Sequence, residues 1–282
     1  MSFYRKSLYY VFLKLKVHDK QVNLTMELGT LQIITTVITV TGAVTLIALE
    51  RFFPYTKGQK FFREGFFNDF VLYTFVQSYV LGVVISWFCY YLANTTNIDN
   101  FGMIRQWPLW GQLAFFLITH DFYIYWFHRY QHTSERLWRL HEAHHSTHDV
   151  DWLSGARSHS LEILINQTIE FLPIILFASP EVALLKGTFD ALWGMYIHSN
   201  IDVRSGWLQY VINGPEMHRW HHAIDEEAHN KNFSTKFAFW DWMFGTAYFP
   251  QSRKPSGYGL SDPDFPKSYI KQHLYAFRRN DR

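Results

Sequence analysis

Three short segments concentrate side chains that bind metals: His128-Arg-Tyr-Gln-His132, His141-Glu-Ala-His144-His145 and His218-Arg-Trp-His221-His222. On a helix, positions three or four apart share a face. His128 and His132 can therefore grip one ion from a single helix, and His141 can do so with His144 or His145. His144 and His145 are adjacent and so diverge by about 100° around the axis, which suits two ions better than one. The same holds for His221 and His222. The chain has 15 histidines in 282 residues, and at that content two HxxHH patterns arise by accident on the order of one time in a thousand. The ordinary reading of one histidine, a satisfied core or surface imidazole, thus fails for the set, and a dinuclear site is expected.

Imidazole suits zinc, copper, iron or nickel. A catalytic zinc needs three protein ligands and a water, fewer than this region offers. Two metals with open positions at a membrane surface point to iron and oxygen activation, with O2 as co-substrate. Irving–Williams affinities still let zinc replace iron in a purified sample. Two other readings remain open. A membrane zinc hydrolase is weakened by the lack of a single-site HExxH arrangement, and a non-enzymatic metal-binding membrane protein would keep the cage without turnover. Other classes are excluded. The lone cysteine, Cys89, makes neither an internal disulfide nor a thiolate-held cluster, and a net charge of +2 gives no field for nucleic acid.

The elements that must position these residues come next. Residues 28–49, 70–93 and 108–127 are apolar runs, long enough for helices across roughly 30 Å of hydrocarbon. Residues 161–199 hold two weaker runs joined by Ser179-Pro180-Glu181, which read as a re-entrant or half-spanning hairpin. The sequence thus predicts an all-α integral membrane bundle with a cytoplasmic, histidine-rich metal-binding cap from 128–160 and 200–282. One domain is expected over 28–282, after a polar, amphipathic N-terminal segment at 1–27. Arg51, Lys57, Lys60 and Arg63 place the 50–69 loop on the cytoplasmic side. Parity then puts the N-terminus outside, against its own basic residues, unless the first run is itself a hairpin.

The clusters, in the order HxxxH, HxxHH and HxxHH after hydrophobic spans, resemble the fatty acid hydroxylase / sterol desaturase superfamily of membrane di-iron oxidases. Asp121–Arg129, Leu137–Ser146 and Trp240–Thr246 are similar to its characteristic segments, and the resemblance covers about residues 110–250. Within it, sterol-desaturase-like proteins and alkylglycerol monooxygenase look nearest. It implies two iron ions bound by His128, His132, His141, His144, His145, His198, His218, His221 and His222. It also implies O2-dependent hydroxylation or desaturation of an unactivated C–H in a sterol, fatty acyl or alkyl-glycerol chain. The chain carries no flavin or haem motif, so a cytochrome b5 or ferredoxin-type donor with its reductase is the expected partner. The membrane would be a bacterial inner membrane or the eukaryotic endoplasmic reticulum.

Two departures from the family pattern stand out. Some members have a histidine four residues before the one matching His198, where this chain has Gly194; Ser160 stands where a proline follows the histidine matching His159. His159 and Glu162 are therefore candidate replacement ligands or outer partners. His120, inside the third run, is a candidate for the substrate tunnel or an outer hydrogen bond. Metal-bound imidazoles usually donate their other N–H to a carboxylate or carbonyl; Asp121, Glu142, Asp190, Asp202 and Asp241 are the candidate acceptors.

Overall fold

A computed structural model describes residues 21–95 and 104–278. The expected amphipathic segment therefore lies mostly outside the described residues, and Gln21 onward is already helical. Among the described residues the regular structure is entirely helical, with only isolated bridges at Pro54–Ile201 and Ala223–Tyr258. The all-α expectation holds.

α1 (Gln21–Phe52) is one continuous helix, so the first apolar run is not a hairpin and that escape from the sidedness conflict is closed. A π-helical segment, Asn68–Gln77, continues into α2 (Ser78–Thr95). In it Thr74 and Ser78 hydroxyls reach back five residues, to the carbonyls of Asp69 and Tyr73. The wider winding brings Asp69, Tyr73 and Gln77 onto one buried face. α3 (Leu109–Thr133) runs into α4 (Glu135–His145). The antiparallel pair α5 (Ser160–Phe177) and α6 (Pro180–His198) follows, with Pro180 in the first turn of α6, where its missing N–H costs nothing. Short helices α7 (Pro215–His221), α8 (Phe239–Met243) and α9 (Tyr269–Tyr275) build the cap.

Among the described residues, three helices are long and apolar enough to cross a bilayer: Leu28–Phe52, Asn68–Leu92 and Ser160–Phe177. The chain is a membrane protein. The first limb of the 161–199 hairpin thus has the length of a full crossing. The run at 108–127 lies in α3, which carries His120 and Asp121 and is not among those three. Phe116 on α3 packs with Ile174, Ala178 and Val182 of the hairpin.

Buried charges fix the cap on the ends of these helices. Glu50, at the end of α1, accepts the backbone N–H groups of Trp152 and Asn200 at 2.9 Å each. Asp69 accepts from both Arg63 and Arg157, and Arg63 also makes a two-pronged contact with Asp151. Gly65 sits at φ +79°, and a Cβ there would collide with the Arg157 guanidinium. Such groups, out of water, are stable only when fully paired.

Candidate metal centre

The nine histidines, from four helices, meet in two adjoining groups. His128, His132, His141, His145 and His221 form the first; His144, His198, His218 and His222 form the second. Within each group one ring nitrogen per residue lies within 4.8 Å of all the others. α3 supplies His128 and His132 one turn apart. α4 sends His141 and His145 to the first group and the intervening His144 to the second. The same divergence at the end of α7 parts His221 from His222. The His145 and His222 rings, 4.5 Å apart between centroids, form the shared wall.

The far ring nitrogens decide what this arrangement can do. The Nδ1 atoms of His128, His144, His198 and His221 lie 2.7–3.1 Å from the carbonyls of Phe233, Arg157, Gly194 and Lys231. A carbonyl only accepts, so each of these Nδ1 atoms carries the proton and each Nε2 presents a lone pair. His141 donates in the same way from Nδ1 to Glu162 Oε1 at 2.9 Å. Yet His128 Nε2 faces His141 Nε2 at 3.0 Å, and His144 Nε2 faces His198 Nε2 at 3.2 Å. Pairs of bare lone pairs at such separations repel. The Nε2 atoms of His132, His145 and His221 are buried with no partner at all. A cation in each group removes both problems at once.

Burial pushes the imidazoles of His132, His141, His144, His145, His218, His221 and His222 well below their ordinary pKa, with neighbouring histidines adding to the effect. They are neutral at physiological pH, the state that ligates metal. The donor set therefore fits two first-row transition ions, iron among them.

The expected carboxylate partners behave otherwise. Of the candidates, Glu162 alone meets a ligand-type imidazole. Asp241 accepts from the backbone of Phe233 and Ser234 and from Thr246. Asp121 accepts from Thr235 Oγ1 and the backbone of Lys236 and Phe237. Both hold the 233–237 segment whose Phe233 carbonyl orients His128, one bond removed from the expectation. Glu142 pairs with Arg278. Asp202 is partly exposed beside Arg204 at 3.2 Å and takes no part. His159 caps α5, accepting from Leu161 N, and meets the His273 carbonyl; it is in neither group. The orienting carbonyls carry no sequence signal, because every residue has one. The nearest hint is Asn230-Lys-Asn232: both asparagines adopt positive φ, 58° and 56°, a region asparagine tolerates, and so turn Lys231 and Phe233 toward the rings.

His120 belongs to a separate cluster with Glu170 and Asp190. Lys186 Nζ, fully buried, bonds all three: Glu170, Asp190 at 2.6 Å and His120 Nδ1 at 3.0 Å. An ammonium already stands where an ion would, and this cluster is not a third metal site.

A cavity of 330 Å³ borders the first group, lined among others by His132, Trp138, His145, His221 and His222.

Residues 113–246 match the family model described as fatty acid hydroxylase. The ornithine lipid hydroxylase OlsE of Rhizobium tropici is 30% identical over 63% of this chain and 54% of its own length. Human alkylglycerol monooxygenase is 33% identical over 55% of this chain and 35% of its own. A very-long-chain aldehyde decarbonylase of Oryza sativa is 29% identical over 48% of the chain and 52% of its own. The chain thus spans about half or less of the length of these relatives. No solved structure matches it significantly. The segment that matches the fatty acid hydroxylase model is the one that builds the cage, from α3 through α8.

Proposed function

We propose that this protein is a membrane monooxygenase that oxidises an unactivated C–H of a lipid chain, using O2 and two irons. One observation carries the reading: nine buried or half-buried imidazoles converge in groups of five and four, each with a ring nitrogen turned to the others, in a chain with helices long and apolar enough to cross a bilayer. The first group would hold one iron and the second the other. The metals supply the activation of oxygen that no side chain of this protein provides.

The protein's own contribution is positional. Backbone carbonyls and Glu162 hold the rings by their Nδ1 protons, so the donor atoms need not reorganise. The 330 Å³ cavity gives access from the cap, where Trp138 packs against His132 and His145. Sterols, fatty acyl chains and alkyl-glycerol chains are the substrate class; the names of the relatives make ornithine lipids and alkylglycerols the first to try. Hydroxylation is the simplest outcome, and desaturation follows from a second hydrogen abstraction. Electrons come from a separate cytochrome b5 or ferredoxin-type donor.

The basic loop residues Arg51, Lys57, Lys60 and Arg63 lie at the cap end of α1, which supports a cytoplasmic active site by the positive-inside rule. The test uses purified protein reconstituted with ferrous iron, a reductase system and candidate lipids. Product one oxygen atom heavier, formed only in the presence of O2, is expected. Turnover without O2, or lipid hydrolysis by a zinc-only preparation, would replace this reading.

A further inference from the structure

The two faces of α9 are opposite in character. Gln272 and Ala276 are buried, and Tyr269 and His273 partly buried, on the face turned to the protein. Ile270, Leu274 and Phe277 follow at helical intervals of four and three and form one stripe on the other face. They stand 67%, 65% and 63% exposed. Exposed Lys271 borders the stripe on one side. In water, three large apolar side chains in a row would be costly.

The buried face is docked against the flank of a bilayer-crossing helix. Tyr73 and Gln77 lie five and nine residues after Asn68, the start of the crossing segment Asn68–Leu92. Gln77 is therefore on the order of 10 Å along its axis. The Tyr73 hydroxyl donates to Gln272 Oε1 at 2.6 Å, and the Tyr269 hydroxyl to Gln77 Oε1 at 2.8 Å. Asn68 itself donates through Nδ2 to the Lys267 carbonyl at 2.8 Å. His273 Nε2 accepts the backbone N–H of Ser160, the first residue of the crossing segment Ser160–Phe177, at 3.1 Å. α9 thus lies across the entry turns of two crossing helices and pairs polar groups that hydrocarbon would leave unsatisfied. Its outer stripe faces away from them at that same depth. Two exposed residues, Phe67 beside Asn68 and Leu161 beside Ser160, continue the apolar surface.

We propose that α9 is an interfacial helix whose partner is the bilayer itself: Ile270, Leu274 and Phe277 enter the acyl edge of the cap-side leaflet, while Lys271 stays among the headgroups. Helices that lie in this boundary bury their apolar face about 5–10 Å into it and carry basic residues on the polar side. That is the depth which the contacts with Tyr73 and Gln77 impose. This part of the cap is bathed by lipid and not by water. The same segment ends on metal-bearing α4, where Arg278 donates to both oxygens of Glu142 at 2.7 and 2.8 Å, between His141 and His144. Contact with the leaflet and the cage are thus tied through one ion pair, whichever reaction the metals perform.

The test uses full-length, iron-loaded protein in phosphatidylcholine vesicles, with one environment-sensitive fluorophore attached at Ile270→Cys or Leu274→Cys. Two quenchers are compared: iodide in the water, and phosphatidylcholine bearing a nitroxide high or low on its acyl chain. Cys89 is buried and stays in place, with the unsubstituted protein measured as the blank. Val80→Cys, exposed midway along Asn68–Leu92, marks the hydrocarbon; Glu227→Cys, at an exposed carboxylate of the cap, marks water. Quenching at both α9 positions should be several-fold stronger by the nitroxides than by iodide, as at Val80. The high nitroxide should exceed the low one, the reverse of the order at Val80. Iodide quenching as strong as at Glu227 overturns the proposal, because the face then stands in water. Protection from both quenchers also overturns it, since a second copy of the chain or another protein would then cover the stripe. Both side chains point outward, so either variant decides the matter if the other fails to fold.

Discussion

His128 and His141 direct their Nε2 atoms at each other from 3.0 Å while both Nδ1 protons are engaged elsewhere, by the Phe233 carbonyl and by Glu162. Neither ring can turn over to make a hydrogen bond without breaking one that is buried. The pair is therefore destabilising without a cation and stabilising with one. Metal should accordingly raise stability by mass action, by about 2.7 kcal/mol at a hundredfold excess over the dissociation constant. Chelator-treated protein in detergent should melt several degrees lower than after addition of ferrous iron or zinc. Identical melting curves in the two states would remove the metal centre from the account.

Among the described residues, Glu162 is the one carboxylate that touches a histidine of the cage, accepting from His141 Nδ1. A carboxylate behind a ligating imidazole fixes its tautomer and strengthens it as a donor. Glu162→Gln keeps the shape but offers an amide that donates as readily as it accepts. Metal affinity should drop about 10–100-fold, read by competition with a calibrated chelator. Asp202→Asn, on the exposed ion pair with Arg204, should leave affinity unchanged. Equal effects from the two substitutions would refute the assignment.

The grouping of the histidines was legible because helical geometry is rigid: residues four apart share a face and adjacent residues part. His144 and His145 suit two ions better than one, as do His221 and His222, and the structure separates both pairs. What escaped was everything that depends on the fold of non-helical chain. Asp121 and Asp241 read as imidazole partners because of their type, yet they brace the 233–237 segment, whose carbonyl does that work. The π-helical winding at 68–77 and the buried role of Glu50 depend on partners 80–150 residues away, which no local periodicity reports. Lys186 was hidden inside an apolar run, because it is the single lysine of a nineteen-residue helix that stays apolar on average despite Glu181 and Asp190.

Acid should loosen the cage before it affects the membrane helices. His132, His141, His144, His145, His218, His221 and His222 are held neutral by burial, whereas in an unfolded chain each titrates near 6.5. Below about that pH the unfolded state binds protons that the folded state does not, so stability rises with pH through this window and levels off above it. Bound metal strengthens the trend, since protons compete for the same lone pairs. Metal-free protein should show a melting temperature that falls steadily as pH is lowered from neutrality. A flat profile there would mean that the histidines are solvated and not packed together.

Asp69 stands between two buried guanidiniums, those of Arg63 and Arg157, and Arg157 also presents the carbonyl that orients His144. Asp69→Ala leaves both arginines without that carboxylate in a dry interior, a loss of about 3–5 kcal/mol. It should lower the melting temperature more than any single exposed-charge substitution and loosen metal binding at the second group. If Asp69→Ala melts like the parent, the network is solvated and the cap is not held as described.

Lys186 makes the last discrimination, between two metals and three. Glu170, Asp190 and His120 have the donor types and spacing of a cation site, but the lysine ammonium contacts all of them and supplies the positive charge itself. Two carboxylates in a hydrocarbon setting need a counter-charge, and an intramembrane ionisable group without one is costly. Fully metallated protein should therefore contain two transition ions per chain. Lys186→Met should be strongly destabilising, because it leaves the carboxylates short of a cation. Adding Glu170→Gln should recover part of the loss, since removing both members of a buried pair costs less than removing one. A stoichiometry of three in the unsubstituted protein, measured by elemental analysis against amino-acid content, would show that the lysine yields its place to a metal.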